Sequence, residues 1–407
     1  MDHMHPREIS ISGFSYDLPE DRIAQQPLAE RDASKLLVYR NGVITDRRFS
    51  DLAEELPPNA LLVLNDTRVV NARLVFHRLT GARIEVLCLE PADGKPVEQA
   101  FAERGTCEWQ CFVGNAKRWK DGEVLVFDYG RTELKAVRSA AERIVFSWSP
   151  AELSFAEVLE RMGHVPLPPY MKRPDSEGDK ERYNTVFAKH DGSVAAPTAS
   201  LHFTPHVLDG LRQKGVRTAS LTLHVGAGTF LPVKSERMEG HAMHHEQVRI
   251  PLATLEALVA QQTSGPIVAV GTTALRTMES IYWHGVKLLQ GNAGDELDVG
   301  QWEPYQTAGS KLPSTSETLA AVIQDLRARG EERIIGRTQL LIAPGYTFRF
   351  ADALITNFHQ PGSTLLLLVA AFLGPHWRSV YDHALGNGYR FLSYGDGSLL
   401  WRPRAGQ

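Results

Sequence analysis

Cysteine is scarce in this chain: Cys88, Cys107 and Cys111 are the only three among 407 residues. Three thiols make no disulfide framework and suit a reducing compartment. Cys107 and Cys111 have the first gap of a radical-enzyme iron–sulfur motif, but no third cysteine follows to complete the thiolate set. They are expected to pack inside a β module. Long apolar runs are also missing. The longest, Leu365 to Leu373, falls far short of the ~20 residues that span a bilayer, so it predicts a buried helix and no membrane partner. Met1 to Ser10 has no apolar stretch, and no secretory signal is expected. Charge of one sign is lacking too. A formal net charge of −4 argues against a strongly basic nucleic-acid packaging protein. A local basic face is nevertheless enough for an RNA partner. Gly226-Ala227-Gly228 lacks the third glycine and the helix of a dinucleotide fingerprint. His241, His244, His245 and Glu246 do not have the His-Glu-x-x-His spacing, and no cysteine is near, so no metal is expected.

What is present reads as more than one domain, because single domains run to ~100–200 residues. A buried strand is predicted at Leu61–Leu64. From about Arg73 to Ser149 the texture changes to short alternating stretches, such as Arg83–Leu87 and Glu123–Phe127, broken by turns like Lys120-Asp121-Gly122. That pattern predicts an all-β module. Ser154-Phe155-Ala156-Glu157 is a capping-box signature, and Phe155, Val158, Leu159 and Met162 form one apolar helical face. Val165 to Tyr170 is too proline-rich for a helix or central strand and is expected to wrap over a surface or a cleft. The second half predicts helices at His206–Lys214, Ala253–Gln262, Ala274–Trp283 and Ser316–Arg329. It predicts strands at Ala219–Val225, Ile267–Val270, Gln339–Ile342 and Ala353–Thr356. The fold class is therefore α/β with mixed α+β character. The division is a main α/β domain from 1-70 and 150-407 and an inserted all-β domain at 71-149.

Four strongly apolar strands empty into polar or glycine-rich turns. Leu61–Leu64 leads to Asn65-Asp66-Thr67-Arg68, and Leu221–Val225 leads to Gly226-Ala227-Gly228-Thr229-Phe230. Ile267–Val270 leads to Gly271-Thr272-Thr273-Ala274-Leu275-Arg276, and Ala353–Thr356 leads to Asn357-Phe358-His359. Ligands gather where strand ends open into such turns. Thr272 and Thr273 open a helix whose free N–H groups and dipole suit a carboxylate or phosphate. Arg276 is placed to pair with the same anion. Gly226 and Gly228 let backbone approach a ligand closely. Basic clusters with interleaved aromatics, Lys117-Arg118-Trp119-Lys120 and Lys180-Glu181-Arg182-Tyr183 among them, suit phosphates and stacked bases, or simply solvated faces.

Several segments resemble one family. They are Tyr16-Asp17-Leu18-Pro19, Pro27 to Leu36, Leu64 to Val69, Pro166 to Tyr170, Glu181 to Val186 and Gly192 to Ala199. Leu201 to Thr204, Leu223 to Phe230, Val270 to Thr273, Ile355 to His359 and Tyr389 to Asp396 continue in the same order to near the end of the chain. Together they resemble the S-adenosylmethionine:tRNA ribosyltransferase-isomerases of queuosine biosynthesis. The resemblance implies a larger α/β domain with a β-barrel-like core and a smaller inserted all-β domain. It implies S-adenosylmethionine as co-substrate with no bound cofactor. The implied partner is a tRNA anticodon loop carrying 7-aminomethyl-7-deazaguanine, and the implied products are epoxyqueuosine-tRNA, adenine and methionine. Gln360-Pro361-Gly362-Ser363-Thr364 departs from the family's Leu-Pro-Lys-Ser-Thr by losing a lysine.

Such a reaction needs a base beside the sulfonium and a proton donor for departing adenine. His224, His359, Asp66 and Asp396 are the catalytic candidates. His202 is a candidate for the same work or for a helix cap near Thr204. Arg68 and Arg276 are candidates to hold the methionyl carboxylate, and Asn65, Thr198, Asn357 and Tyr394 to read ribose or base edges. Each histidine equally suits a buried, hydrogen-bonded core position. A cytoplasmic monomer is expected. The competing readings are a related transferase acting on a free deazapurine and a non-catalytic RNA-binding protein of the same fold.

Overall fold

The computed structural model describes residues 5–78, 80–120, 122–226, 228, 233–306 and 311–403. A ten-stranded mixed sheet organises most of it. From one edge its strands are Leu297–Val299, Arg333–Thr338, Glu246–Pro251, Arg217–Leu223, Leu61–Asn65, Ile267–Val270, Ala353–Asn357, Gly397–Trp401, Lys35–Arg40 and Val43–Arg48. Four neighbours, Arg217–Leu223 through Ala353–Asn357, run parallel. Parallel strands are covered on both faces and read as continuous apolar runs. The alternation is visible by residue. Leu61, Val63, Ile267, Ala269 and Leu354 face one core, with the long helix Thr272–Leu289. Leu62, Leu64, Val268, Val270 and Ile355 face the other, with helix Pro205–Gln213.

The second sheet has six antiparallel strands, all drawn from residues 73 to 149. It has its own core, in which Phe101, Trp109, Phe146 and Phe155 pack together. Its two end strands, Arg73–His77 and Leu125–Tyr129, approach one another, with Phe76 edge-on to Phe127 at 6.2 Å. The barrel-like curvature of the molecule therefore lies here. Among the described residues no ladder joins Val43–Arg48 to Leu297–Val299, the edges of the ten-stranded sheet.

Most expected elements form within two residues or so of their predicted ends, including the capping box at Ser154. Leu365–Leu373 is buried helix, Thr364–Leu373. No helix among the described residues is long and apolar enough to cross a membrane. One strand is displaced: Gln339–Ile342 makes no ladder, and the strand is Arg333–Thr338. Its alternation puts Arg333, Ile335 and Arg337 outward and Ile334, Gly336 and Thr338 inward. Glycine and threonine at inward positions hide the period, whereas Leu340 and Ile342 are buried without belonging to the sheet.

Candidate active site

The carboxyl ends of Ile267–Val270 and Ala353–Asn357 open into a cleft of about 700 Å³, its mouth included. Thr272 and Thr273 form one wall, and Asn357, His359 and Gln360 another. Thr198 and Ser393 approach from crossing segments, and Tyr170 lines the cleft from the end of the proline-rich stretch, as expected. Gly271 has φ 91°, a left-handed value that glycine tolerates best, and its N–H donates to the Ile355 carbonyl at 2.8 Å. That bond turns the first amides of the 18-residue helix Thr272–Leu289 toward the cleft end of the sheet. None of the described lining residues is Asp, Glu, Lys or Arg.

His359 is the one titratable imidazole in the lining. Its Nε2 hydrogen-bonds with the Thr356 hydroxyl at 2.9 Å. Its backbone N–H donates to Tyr381 Oη at 3.1 Å, and its carbonyl accepts from Tyr16 Oη. Burial lowers its pKa to about 3, so the ring is neutral at ordinary pH. Nδ1 has no hydrogen-bond partner among the described residues. Asn357 donates from Nδ2 to the Leu392 carbonyl at 3.3 Å, while its buried Oδ1 has no partner. Leu392 sits at φ 70°, strained for a non-glycine, with its N–H bonded to the Phe358 carbonyl at 3.1 Å.

His202 lies behind this wall, with Nδ1 to Ser34 Oγ at 2.9 Å and Nε2 to Asn357 Nδ2 at 3.3 Å. Burial lowers its pKa to about 4. It does not cap the helix at Thr204, whose own hydroxyl accepts from the Val207 N–H.

Other candidates lie elsewhere. Asn65 spends its amide within the fold, accepting from the Thr67 and Leu223 N–H groups and donating to the Leu223 carbonyl and, at 3.4 Å, to Thr273 Oγ1 in the cleft wall. Asp66 is buried and accepts from the Thr222 hydroxyl at 2.7 Å. His224 turns away from the cleft to meet Thr67 Oγ1 at 2.9 Å and Glu98 Oε1 at 3.6 Å. A Cβ on Gly192 would lie 2.6 Å from that ring, which explains glycine there. The His224 contact holds the Glu98 carboxyl below its usual range. Asp396 accepts from the Lys35 and Arg390 N–H groups and from the Arg390 guanidinium, a structural clasp. Tyr394 donates to Asp179 at 2.9 Å. Arg276 is buried and ion-paired with Glu246, which also removes Glu246 from the histidine cluster weighed as a metal site. Arg68 is exposed, 3.8 Å from Asp191. Gly228 packs against His244, and Gly226 has open space around it. Ala227, Thr229 and Phe230 of that turn lie outside the described residues. Among the described residues no three His, Cys, Asp or Glu side chains gather as a metal would require.

Sequence reasoning did not single out Tyr170, Ser393 or Gln360 as site residues. Tyr170 and Ser393 share a 2.6 Å hydroxyl contact. Both stand in motifs that carried the resemblance, which was the available signal.

The chain matches the family model described as "Queuosine biosynthesis protein" over residues 11–400. It belongs to that family. An S-adenosylmethionine:tRNA ribosyltransferase-isomerase of Azoarcus sp. is 41% identical over 97% of this chain and 98% of its own. One of Pelobacter propionicus is 39% identical over 96% and 99%. A solved S-adenosylmethionine tRNA ribosyltransferase of Thermotoga maritima is 30% identical, covers 96% of this chain and 100% of that one, and superposes with a TM-score of 0.46.

Proposed function

We propose that this member of the queuosine biosynthesis family transfers the ribosyl unit of S-adenosylmethionine to 7-aminomethyl-7-deazaguanine in a tRNA anticodon loop. It isomerises that unit to the epoxycyclopentanediol of epoxyqueuosine and releases adenine and methionine. The observation that carries the reading is identity of about two-fifths, over nearly the whole of both chains, to relatives of that name.

The cleft offers a chemistry consistent with it. The amides at Thr272 and Thr273 suit the methionyl carboxylate without any cation in the lining. Asn357 Oδ1 is free to accept from a base or ribose donor. His359 is the group assigned to the proton transfers. The sulfonium acidifies the neighbouring ribose C–H, which is what would let an imidazole made weakly basic by burial take that proton. The imidazolium formed at so buried a position is a strong acid, suited to pass the proton on to departing adenine. His224, Asp66 and Asp396 then position chain. The same proposal holds that 71-149 is an inserted domain and that the enzyme works in the cytoplasm as a monomer, for which light scattering should return about the chain mass of 45.2 kDa.

The test is adenine release from S-adenosylmethionine, with and without tRNA carrying the aminomethyl base. Release only with that tRNA supports the proposal. Release that needs only a free deazapurine points to the small-molecule transferase. Binding of tRNA without adenine under any condition leaves a non-catalytic binder.

A further inference from the structure

Beside the cleft, and sharing Ser393 with it, lies a smaller cavity lined by Arg31, Arg182, Arg390, His202 and Tyr394. Three motifs that the reaction chemistry left unused converge here: Pro27 to Leu36 brings Arg31, Glu181 to Val186 brings Arg182, and Tyr389 to Asp396 brings Arg390. The partners of these guanidinium groups are unusual. Arg31 donates to the carbonyls of Asn184, Leu201 and Glu181. Arg182 donates to those of Ala29 and Leu28, and its buried Nε–H has no partner. Carbonyls orient a guanidinium without cancelling its charge. Among the described residues no carboxylate is ion-paired with Arg31 or Arg182. Only Arg390 has such a counter-charge, Asp396 at 3.1 Å.

We infer that this cavity is a binding site for a backbone phosphate of the tRNA substrate, adjoining the deazaguanine cleft. The cleft itself supplies no cation, and an RNA loop cannot place a base there without bringing its phosphates alongside. Several arginines held in fixed orientation match a phosphate's spread of oxygens. Burial first, and then repulsion from Arg182, hold the Arg31 pKa below its ordinary value against the opposing attraction of the Glu181 carboxylate. The other available oxyanion is the methionyl carboxylate, which the amides at Thr272 and Thr273 already suit.

The inference rests on the tRNA reading above, and its test separates the two. An anticodon stem-loop bearing the aminomethyl base is made with single methylphosphonate linkages, each removing one phosphate charge. Binding is measured to the unaltered chain and to R182Q. One linkage should weaken binding to the unaltered chain about tenfold and have almost no effect on R182Q. The salt slope of R182Q should fall by about 0.7. Affinity for S-adenosylmethionine alone should not change. If R182Q fails to fold, R390Q is used, since the Arg390 backbone N–H still holds Asp396 at 2.8 Å. Additive losses at every linkage overturn the inference, as does weakened S-adenosylmethionine binding. Adenine release is scored in parallel. The coupling without adenine removes the catalytic reading and keeps the site, and adenine without the coupling does the reverse.

Discussion

Two polar clusters stand at the carboxyl ends of neighbouring strands in one sheet, and they differ in what remains unused. After Leu61–Asn65 and Arg217–Leu223 come Asn65, Asp66, Thr67 and His224, whose side chains bond one another and the chain, with the buried His224 Nε2 left without a hydrogen bond, 3.6 Å from Glu98 Oε1. After Ile267–Val270 and Ala353–Asn357 come Thr272, Thr273, Asn357 and His359, which retain free amides, an unpartnered Oδ1 and one free imidazole nitrogen. The first cluster holds four segments together. The second has more capacity left, and it lines the cleft. Hydrogen bonds already made stabilise the fold, while unmade ones in a cleft are what a substrate can complete.

The sharpest way to break this contrast is to exchange effects between the clusters. His359→Ala should lower adenine release by about 10²–10⁴-fold, the usual scale for a proton-transfer group. Its melting temperature should change little. His224→Ala should do the opposite, losing stability with most turnover per folded molecule kept. Equal losses of turnover in both variants would erase the distinction. The next effect is on folding. Asn65→Ala strands two buried N–H groups and a carbonyl, and urea unfolding should show a loss of about 2–4 kcal/mol.

This pair of clusters also shows what was legible in the sequence. The apolar strands were legible because burial on both faces writes itself as continuous runs, as at Leu61–Leu64 and Ile267–Val270. The helix start at the cleft was legible because Gly271-Thr272-Thr273 is a local signal. The allocation of polar residues was not. Whether Asn65 or Asn357 is free depends on Leu223, Thr67 and Leu392, brought in from elsewhere in the chain. Arg276 looked like an anion ligand until the fold placed Glu246 beside it. Tyr170 was foreseen only as part of a segment wrapping a cleft, since its contact with Ser393 spans 223 residues.

His202 sharpens the comparison, because it shares burial with His359 but has both nitrogens engaged. Its folded pKa of about 4 lies below the ordinary 6.5. The unfolded chain therefore binds more protons between those values, and stability must fall as pH drops from 6.5 toward 4. The contribution is on the order of 3 kcal/mol at most. His202→Gln, which cannot take up that proton, should flatten the acid side of the stability profile measured by thermal unfolding. An unchanged profile would mean that His202 is not held neutral.

The smallest effect belongs to Arg68, which the sequence placed beside Asp66 in a turn after a buried strand and offered as a carboxylate ligand. In the fold its side chain is about half exposed, and its only ion-pair partner among the described residues is the equally exposed Asp191 at 3.8 Å. Exposed pairs of this length contribute about 0–1 kcal/mol. Arg68→Ala should therefore change stability by less than about 0.5 kcal/mol and leave the affinity for S-adenosylmethionine within about twofold. Isothermal titration with S-adenosylmethionine alone checks this, and a tenfold loss would mean that the segment after Leu61–Asn65 reaches the ligand after all. A null result removes Arg68 from ligand recognition and leaves the cleft after Ile267–Val270 and Ala353–Asn357 as the candidate site.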